Sequence, residues 1–546
     1  MESMAAFCVI GDSRTLLRKG DSVAMATRSK TATRRTRAGA AASPRRGRGR
    51  LAPGPASRGL DAADVAIQLD SADIGALVTL VREAGGAPIG AYHEPLGGRA
   101  LLLASLPLMA NSAVQIVLNL TDMWFMGRIS TRALAAVGAV QWLVIAVVLV
   151  LGGAGTAVQT LVAQAYGARR YRRAAQAVWT ALWAMVCAAP LFVLLGAARH
   201  LILAPFGFDP AVERLAAAFW FPRVGGACIG AAVWAMLGFF NGIGRPRTTL
   251  LISIVTTATN AALNPVFIFG LGWGIAGSAW ATNVAQLTGL AFALALFLGH
   301  RYRRRYRSHL TWRPQLPRLV QQLRLGVPMG LSPAADLLGF AIFQMMQTRL
   351  GTAGGAATQI VVILTSLAYM PGFGIASAGT TLVGQSIGAG ARPWAQRVGE
   401  RVILLTACYM GGIGVLIALG GRWVLPFFTG AHDTDAAAAV ATGMRLLWLA
   451  AGYQFFDGLN LGSSMCLRGA GDVRIPAVLV LGLSLLLFVP LAHALTFAPG
   501  EGWVSFLPQL GWGAFGGWVA VLIYIMALGT SLFLRWRSRA WQSIHL

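Results

Sequence analysis

Residues 134–173 read LAAVGAVQWLVIAVVLVLGGAGTAVQTLVAQAYGARRYRR. No charged side chain occurs between Leu134 and Ala168. A helix needs about 20 mostly apolar residues to cross the hydrocarbon of a bilayer. Only helices and closed barrels satisfy their backbone hydrogen bonds in lipid, and so long an unbroken apolar run is helical. The stretch therefore predicts a transmembrane helix. Arg169, Arg170, Arg172 and Arg173 at its end anchor it in the headgroups.

Eleven further runs of this kind surround it. With it, they start near Leu101, Leu134, Ala177, Ala218, Thr249, Ala276, Leu325, Ala356, Val402, Leu446, Ile475 and Ala514. Over all 546 residues, hydrophobic types make up 56% and charged types 12%, with a mean hydropathy of +0.63. An ordinary soluble domain carries about 25% charged residues. Half that share cannot cover a water-facing surface, which excludes a soluble enzyme or a secreted disulfide scaffold. The expected fold class is an all-α polytopic membrane protein with twelve transmembrane helices.

The formal net charge is +26. In a soluble protein that would suggest nucleic acid; here basic cytoplasmic loops explain it, and no nucleic-acid partner is expected. The loops after the even-numbered spans, with the C-terminal tail, hold 22 arginines against eight on the opposite face. Arginine near span ends marks the cytoplasmic side, so both termini are expected there. Cys187, Cys228, Cys408 and Cys466 are scattered through apolar runs, without the CxxC spacing of a zinc or redox site. They read as small buried hydrophobes. Residues 1–98 differ in kind: the Arg28–Arg50 stretch is rich in Arg, Ala, Ser, Gly and Pro and lacks acids. That composition predicts a disordered basic N-terminal extension.

The opening stretch also repeats. At an offset of 221 residues, TLVAQAYGA (Thr160–Ala168) falls on TLVGQSIGA (Thr381–Ala389), and Arg128 and Thr131 fall on Arg349 and Thr352. An offset of 227 lays NGIGRPR (Asn241–Arg247) on RGAGDVR (Arg468–Arg474). Six spans per half is an even number, so both halves share one orientation. That predicts two six-helix lobes related by a parallel, pseudo-twofold repeat about an axis along the membrane normal. The expected organisation is residues 1–98 as the extension, 99–310 as the N-terminal lobe, 311–324 as a cytoplasmic inter-lobe loop, and 325–546 as the C-terminal lobe with its basic tail. Gly167 and Gly388 close matching helices and are expected to act as helix ends.

Three acids fall inside expected spans: Asp122, Asp336 and Asp457. Placing an ionisable group there costs roughly 2.5–3.5 kcal/mol even on lenient insertion scales, and such groups usually line a functional cavity. No arginine is expected at matching depth to neutralise them. A carboxyl in low dielectric can exchange a proton near neutral pH, or trade it for a sodium ion. Asn260 and Asn264, one helical turn apart, are expected to hydrogen-bond Asp122 or help hold a cation. Under the repeat, Asp122, Asp336 and Asp457 meet Phe343, Gln115 and Gly230, so the frame repeats while the charges do not.

These blocks resemble the multidrug and toxic compound extrusion (MATE) family. LASLPLMANSAVQIVLNLTDMWFMGRISTRALAAVG (Leu103–Gly138) is similar to the family's opening pattern, and LVAQAYGARR (Leu161–Arg170) to the end of its second span. NGIGRPRTTLLISIVTTATNAALNPVFIFGLGWGIAGSAWAT (Asn241–Thr282) resembles its fourth-to-sixth-span signature. LGVPMGLSPAAD (Leu325–Asp336) and YQFFDGLNLGSSMCLRGAGD (Tyr453–Asp472) resemble seventh- and tenth-span blocks of the NorM-like branch. The resemblance implies secondary active export of drugs or metabolites. It implies Na+ or H+ as coupling ion and no other cofactor. It places coupling at Asp336, Asp457, Asp122, Asn260 and Asn264, with Na+ at Asp336 and Asp457. Two departures stand out: Asp336 replaces the usual Glu, beside Ala334 and Ala335, and the basic N-terminus is no part of the pattern.

The expected function is therefore antiport by alternating access between two lobes, with amphipathic or cationic small molecules and the bilayer as partners. Gln115, Tyr369, Phe373, Tyr453 and Phe456 are candidate cavity walls, since aromatic faces attract organic cations. A monomer in a bacterial inner membrane is expected. A flippase for lipid-linked precursors would want a cationic cavity, whereas this membrane interior carries acids. An intramembrane enzyme would need a catalytic constellation, and the chain has no HExxH, GxSxG or Walker motif.

Overall fold

The computed structural model describes residues 98–204, 210–350, 352–425, 436–504 and 507–544. The expected N-terminal extension, apart from Gly98, lies outside the described residues, as does Cys8. Within them the chain is a succession of helices with no strand.

Twelve rods follow one another. The first lobe has Gly98–Ile129, Thr131–Gly167, Tyr171–Ala197, the pair Pro210–Gly225 and Ala227–Gly242, Pro246–Pro265, and Gly274–Leu298. The second has Leu316–Arg349, Thr352–Gly388, Arg392–Val424, Ala436–Ala470, Arg474–Thr496, and Gly513–Arg537. Ten are long and apolar enough to cross a membrane unaided, and the pair, bent by 43°, makes an eleventh. The remaining rod, Ala436–Ala470, is diluted by Arg445, Asp457 and Arg468.

Most rods start before the apolar runs. The ninth begins at Arg392 rather than near Val402, and the seventh at Leu316, inside the expected inter-lobe loop. Helices continue past the hydrocarbon, where arginines bury their stems and keep their charge in the headgroups. The start of that loop and the residues just before it are pinned to the third span: Trp183 and Trp179 donate Nε1–H to the Trp312 and Ser308 carbonyls at 2.6 and 2.7 Å. Pro328 and Pro333 sit within one unbroken helix. Large apolar side chains such as Leu486 and Val478 face outward, as lipid requires. Cys466 is fully buried, but Cys187 and Cys408 are exposed, so the buried role expected for all of them fails for these two.

The lobes meet through small residues, because close backbone approach drives helix association where lipid removes the hydrophobic drive. A Cβ on Gly153 of the second span would strike the Gly326 carbonyl of the seventh and lie 3.1 Å from Gly330 N. In the matching contact, a Cβ on Gly374 of the eighth span would lie 2.6 Å from Met109 N of the first. The pairs Gly153/Gly374 and Met109/Gly330 both obey the 221 offset.

Beyond these contacts a two-part clasp closes the end where the second and eighth spans finish. Thr160 Oγ1 and Gln164 Nε2 donate to the Arg468 and Gly469 carbonyls at 2.9 and 3.0 Å. Thr381 Oγ1 and Gln385 Nε2 donate to the Asn241 and Gly242 carbonyls at 3.1 and 2.8 Å. Donors match at 221 and acceptors at 227, so the repeat legible in the sequence is a pseudo-twofold interface. Gly167 and Gly388 do end their helices, but the left-handed residues that turn the chain come later, at Arg169 (φ 56°) and Gly390 (φ 79°). What requires glycine is the clasp: a Cβ on Gly167 would collide with the Gln385 carbonyl, and one on Gly388 with the Gln164 carbonyl.

Candidate functional site

The membrane-embedded acids form two separate sites, one in each lobe. In the second lobe, Asp336 on the seventh span accepts a 2.6 Å hydrogen bond from the Tyr524 hydroxyl of the twelfth. Tyr524 is held by stacking on Phe488, ring centroids 4.9 Å apart. The seventh span can approach because Ser484 Oγ donates to the Ala335 carbonyl at 3.2 Å. Asp457, on the tenth span, is 4% exposed. It accepts from Asn460 Nδ2 at 3.2 Å and more weakly from the Tyr453 hydroxyl at 3.4 Å. Both donors lie within one helical turn of it, so the tenth span builds most of this part itself.

Asp457 lies close enough to Asp336 to feel its charge, and Tyr369 of the eighth span lies within the field of both. Neither carboxyl pairs with a guanidinium among the described residues. The result is a cluster of hard oxygen atoms, two carboxyls and several phenols, enclosed by four spans. Such a set can hold a proton on a carboxyl or a small hard cation beside one. Among the described residues there is no grouping of three His, Cys, Asp or Glu side chains, so a transition-metal centre is not what this cluster resembles.

The first-lobe site is a hydrogen-bond chain. Asn264 Nδ2 donates to Asp122 Oδ1 at 2.7 Å and lies 3.2 Å from Asn260 Oδ1. Asn260 Nδ2 in turn donates to Thr282 Oγ1 at 3.2 Å, and that hydroxyl sits 3.5 Å from Asp122 Oδ2. Both asparagines are fully buried on the fifth span, one turn apart. The Asn264 Oδ1 atom is buried with no hydrogen-bond partner. An orphaned buried acceptor beside a carboxyl is costly unless something electropositive visits it.

One expectation fails here. Arg223 lies at a depth where its charge acts on Asp122, although the two form no direct ion pair. With the fourth span expected to start near Ala218, Arg223 is one of the eight arginines counted on the face opposite the cytoplasm. The helix in fact starts at Pro210 and Arg223 sits in its last turn, just before the bend, so that it lies near the middle of the bent pair taken as one rod. Among the described residues no arginine acts on the second-lobe acids in this way, although Arg468 acts on Tyr369 beside them.

The expected cavity walls divide. Tyr369 and Tyr453 join the second-lobe acids. Phe456 instead packs edge-on against Phe455, with centroids 5.4 Å apart, and Phe373 is 38% exposed on the eighth span. Gln115 is half-buried on the first span. The sequence reading missed Tyr524, Asn460 and Thr282. Asn460 was detectable as the residue three after Asp457. Tyr524 and Thr282 left only a hydroxyl inside an apolar run, which buried needs a partner but does not say which.

Three kinds of similarity accompany this geometry. The chain matches the family model MatE over residues 107–266 and 328–493. It is 27% identical over 463 residues to the "Probable multidrug resistance protein NorM" of Rhizobium meliloti (strain 1021), covering 81% of this chain and 93% of that protein. It is 31% identical over 379 residues to the protein of the same name from Burkholderia mallei (strain ATCC 23344), covering 68% and 80%. Its fold superposes on a crystal structure of MATE in the straight conformation with a TM-score of 0.70 at 21% identity, covering 81% of this chain and 96% of the other.

Proposed function

The chain belongs to the MatE family of integral membrane transporters, and from that premise we propose that it exports amphipathic, often cationic compounds against an inward flow of sodium ions or protons. One observation carries this reading: Asp336 and Asp457 lie among phenols in the second lobe, and among the described residues neither pairs with a guanidinium. Buried charges that exist only for structure are normally paired. Unpaired, they are suited to a visiting cation. Binding there would act by preferring one arrangement of the lobes, since a ligand shifts an equilibrium only through differential affinity. The clasp at the Gly167 end supports reading this arrangement as the state closed on that side. The arginine bias makes that side cytoplasmic, with both termini there. The setting is a bacterial inner membrane, and the two-lobed monomer is the working unit.

Proteoliposomes loaded with a fluorescent organic cation test this directly. An imposed sodium gradient and an imposed pH gradient, applied separately, should give efflux with one of them and not the other. Equal slow leak under both would remove the antiport reading.

The first-lobe site has a subordinate part, because Arg223 already compensates Asp122 in part. Asp122→Asn should slow gradient-driven efflux roughly fivefold, the low end of typical coupling energies. Initial rates at equal protein content measure it, and an unchanged rate would leave Asp122 a structural hydrogen-bond acceptor.

A further inference from the structure

At the clasped end of the first lobe, the loop after the second span, the loop after the fourth and the short helix His300–Tyr306 close around a small cleft. Tyr166, Ile243, Arg245, Arg301, Tyr302, Arg305 and Tyr306 line it. No carboxylate is among them. The tyrosines organise the arginines: Arg245 Nη1 donates to the Tyr302 hydroxyl at 3.3 Å, and Arg305 Nη2 to the Tyr171 hydroxyl at 3.0 Å. Arg305 also lies over the Tyr171 ring, 4.5 Å from its centroid. The hydroxyls do not supply negative charge. Burial pushes that of Tyr306 well above its ordinary value, so it stays a neutral phenol.

The pseudo-twofold supplies an independent comparison. The 227 offset lays Arg245 on Asp472. In the second lobe that Asp472 accepts a 2.8 Å ion pair from Arg535, so the equivalent position there neutralises an arginine. In the first lobe an arginine takes the acid's place, and neither Arg245 nor Arg301 forms an ion pair with a described residue. The other side of the same short helix adds Arg303, Arg304 and Arg307 along an open groove.

We propose that a phosphate group binds across the mouth of this cleft, too narrow inside for more than a water, with exposed Arg301 and half-buried Arg245 as its donors and Arg305 set in place by the tyrosines. Guanidinium forks match phosphate oxygens in bidentate fashion. At the membrane surface the phosphate belongs to an anionic lipid headgroup or to a free phosphate ion, and the chemistry of recognition is the same.

The test uses the purified full chain in detergent and its Tm. One arm adds phosphatidylglycerol against phosphatidylcholine at equal mole fraction. The other adds inorganic phosphate against chloride at equal ionic strength. Wild type should gain about 2–4 °C in one arm or both. Gain with phosphatidylglycerol alone assigns a lipid headgroup; gain with inorganic phosphate assigns the free ion. Arg245→Gln with Arg301→Gln should lose the gain. Arg303→Gln with Arg304→Gln, which removes equal charge from the other side of the helix, should keep it. If the first variant does not fold, Arg301→Gln alone serves, since that side chain is exposed. No gain in wild type overturns the proposal. So does an equal loss in both double variants, which would mean diffuse attraction to a basic surface.

Discussion

Asp336→Asn and Asp457→Asn should each abolish concentrative export while leaving the protein folded in the membrane. Asparagine keeps the shape and one acceptor oxygen of the acid, so the 2.6 Å bond from Tyr524 and the 3.2 Å bond from Asn460 retain an acceptor. What it loses is the ability to release a proton or to balance a sodium ion. Removing a lone charge from the low-dielectric interior is no threat to folding, since insertion of that charge itself costs roughly 2.5–3.5 kcal/mol. The energy lost is therefore that of coupling, typically 1–3 kcal/mol or 5–150-fold in driven transport. Gradient-driven efflux in proteoliposomes measures it, with Tm and membrane content as folding controls. Export at wild-type rate by both variants would end the coupling role of this cluster. Loss of export with loss of Tm would instead show a structural role.

The parts of this architecture that follow from composition were legible in the sequence, and those that depend on contact were not. Apolar runs must become helices in lipid, so the number of spans could be read from the residues. The three acids could be read too, because charge inside such runs is rare. Their partners were only half visible. Asn264 lies on the fifth span and still reaches Asp122, which its helical spacing and polarity suggested. Tyr524 left no comparable trace, since a phenol in an apolar helix is common at interfaces and informative only once its neighbour is known. Arg223 was misplaced for a local reason: with Pro222 before it and a break after Gly225, it resembles a loop residue until the bent pair is seen as one rod. Gly167 shows the same limit. A glycine at a helix end has two explanations, a turn or a close neighbour, and only the second lobe decides between them.

That ambiguity can be resolved by a substitution whose two explanations predict opposite signs. If Gly167 and Gly388 only end their helices, alanine at either should raise stability by roughly 0.5–1 kcal/mol, the usual gain of alanine over glycine in a helix. If they hold the clasp, the added Cβ meets a backbone carbonyl of the other lobe, Gln385 or Gln164, which cannot swing aside as a side chain does. Overpacking of this kind costs typically 1–3 kcal/mol. Because the cost falls only on the clasped state, it appears as a shift of roughly 5–150-fold toward the state with that end parted. Gly167→Ala with Gly388→Ala should show it most clearly. Spin labels at Arg172 and Pro393, exposed positions related by the 221 offset, span the clasp from outside and would be placed on a background without native cysteines. The expected result is one short distance in the parent and a second, longer population in the alanine variant. Export should slow at the same time, because a transporter that rarely closes one gate spends fewer cycles moving cargo. A single unchanged distance with raised Tm would return both glycines to the role of helix ends and leave the clasp to its four hydrogen bonds.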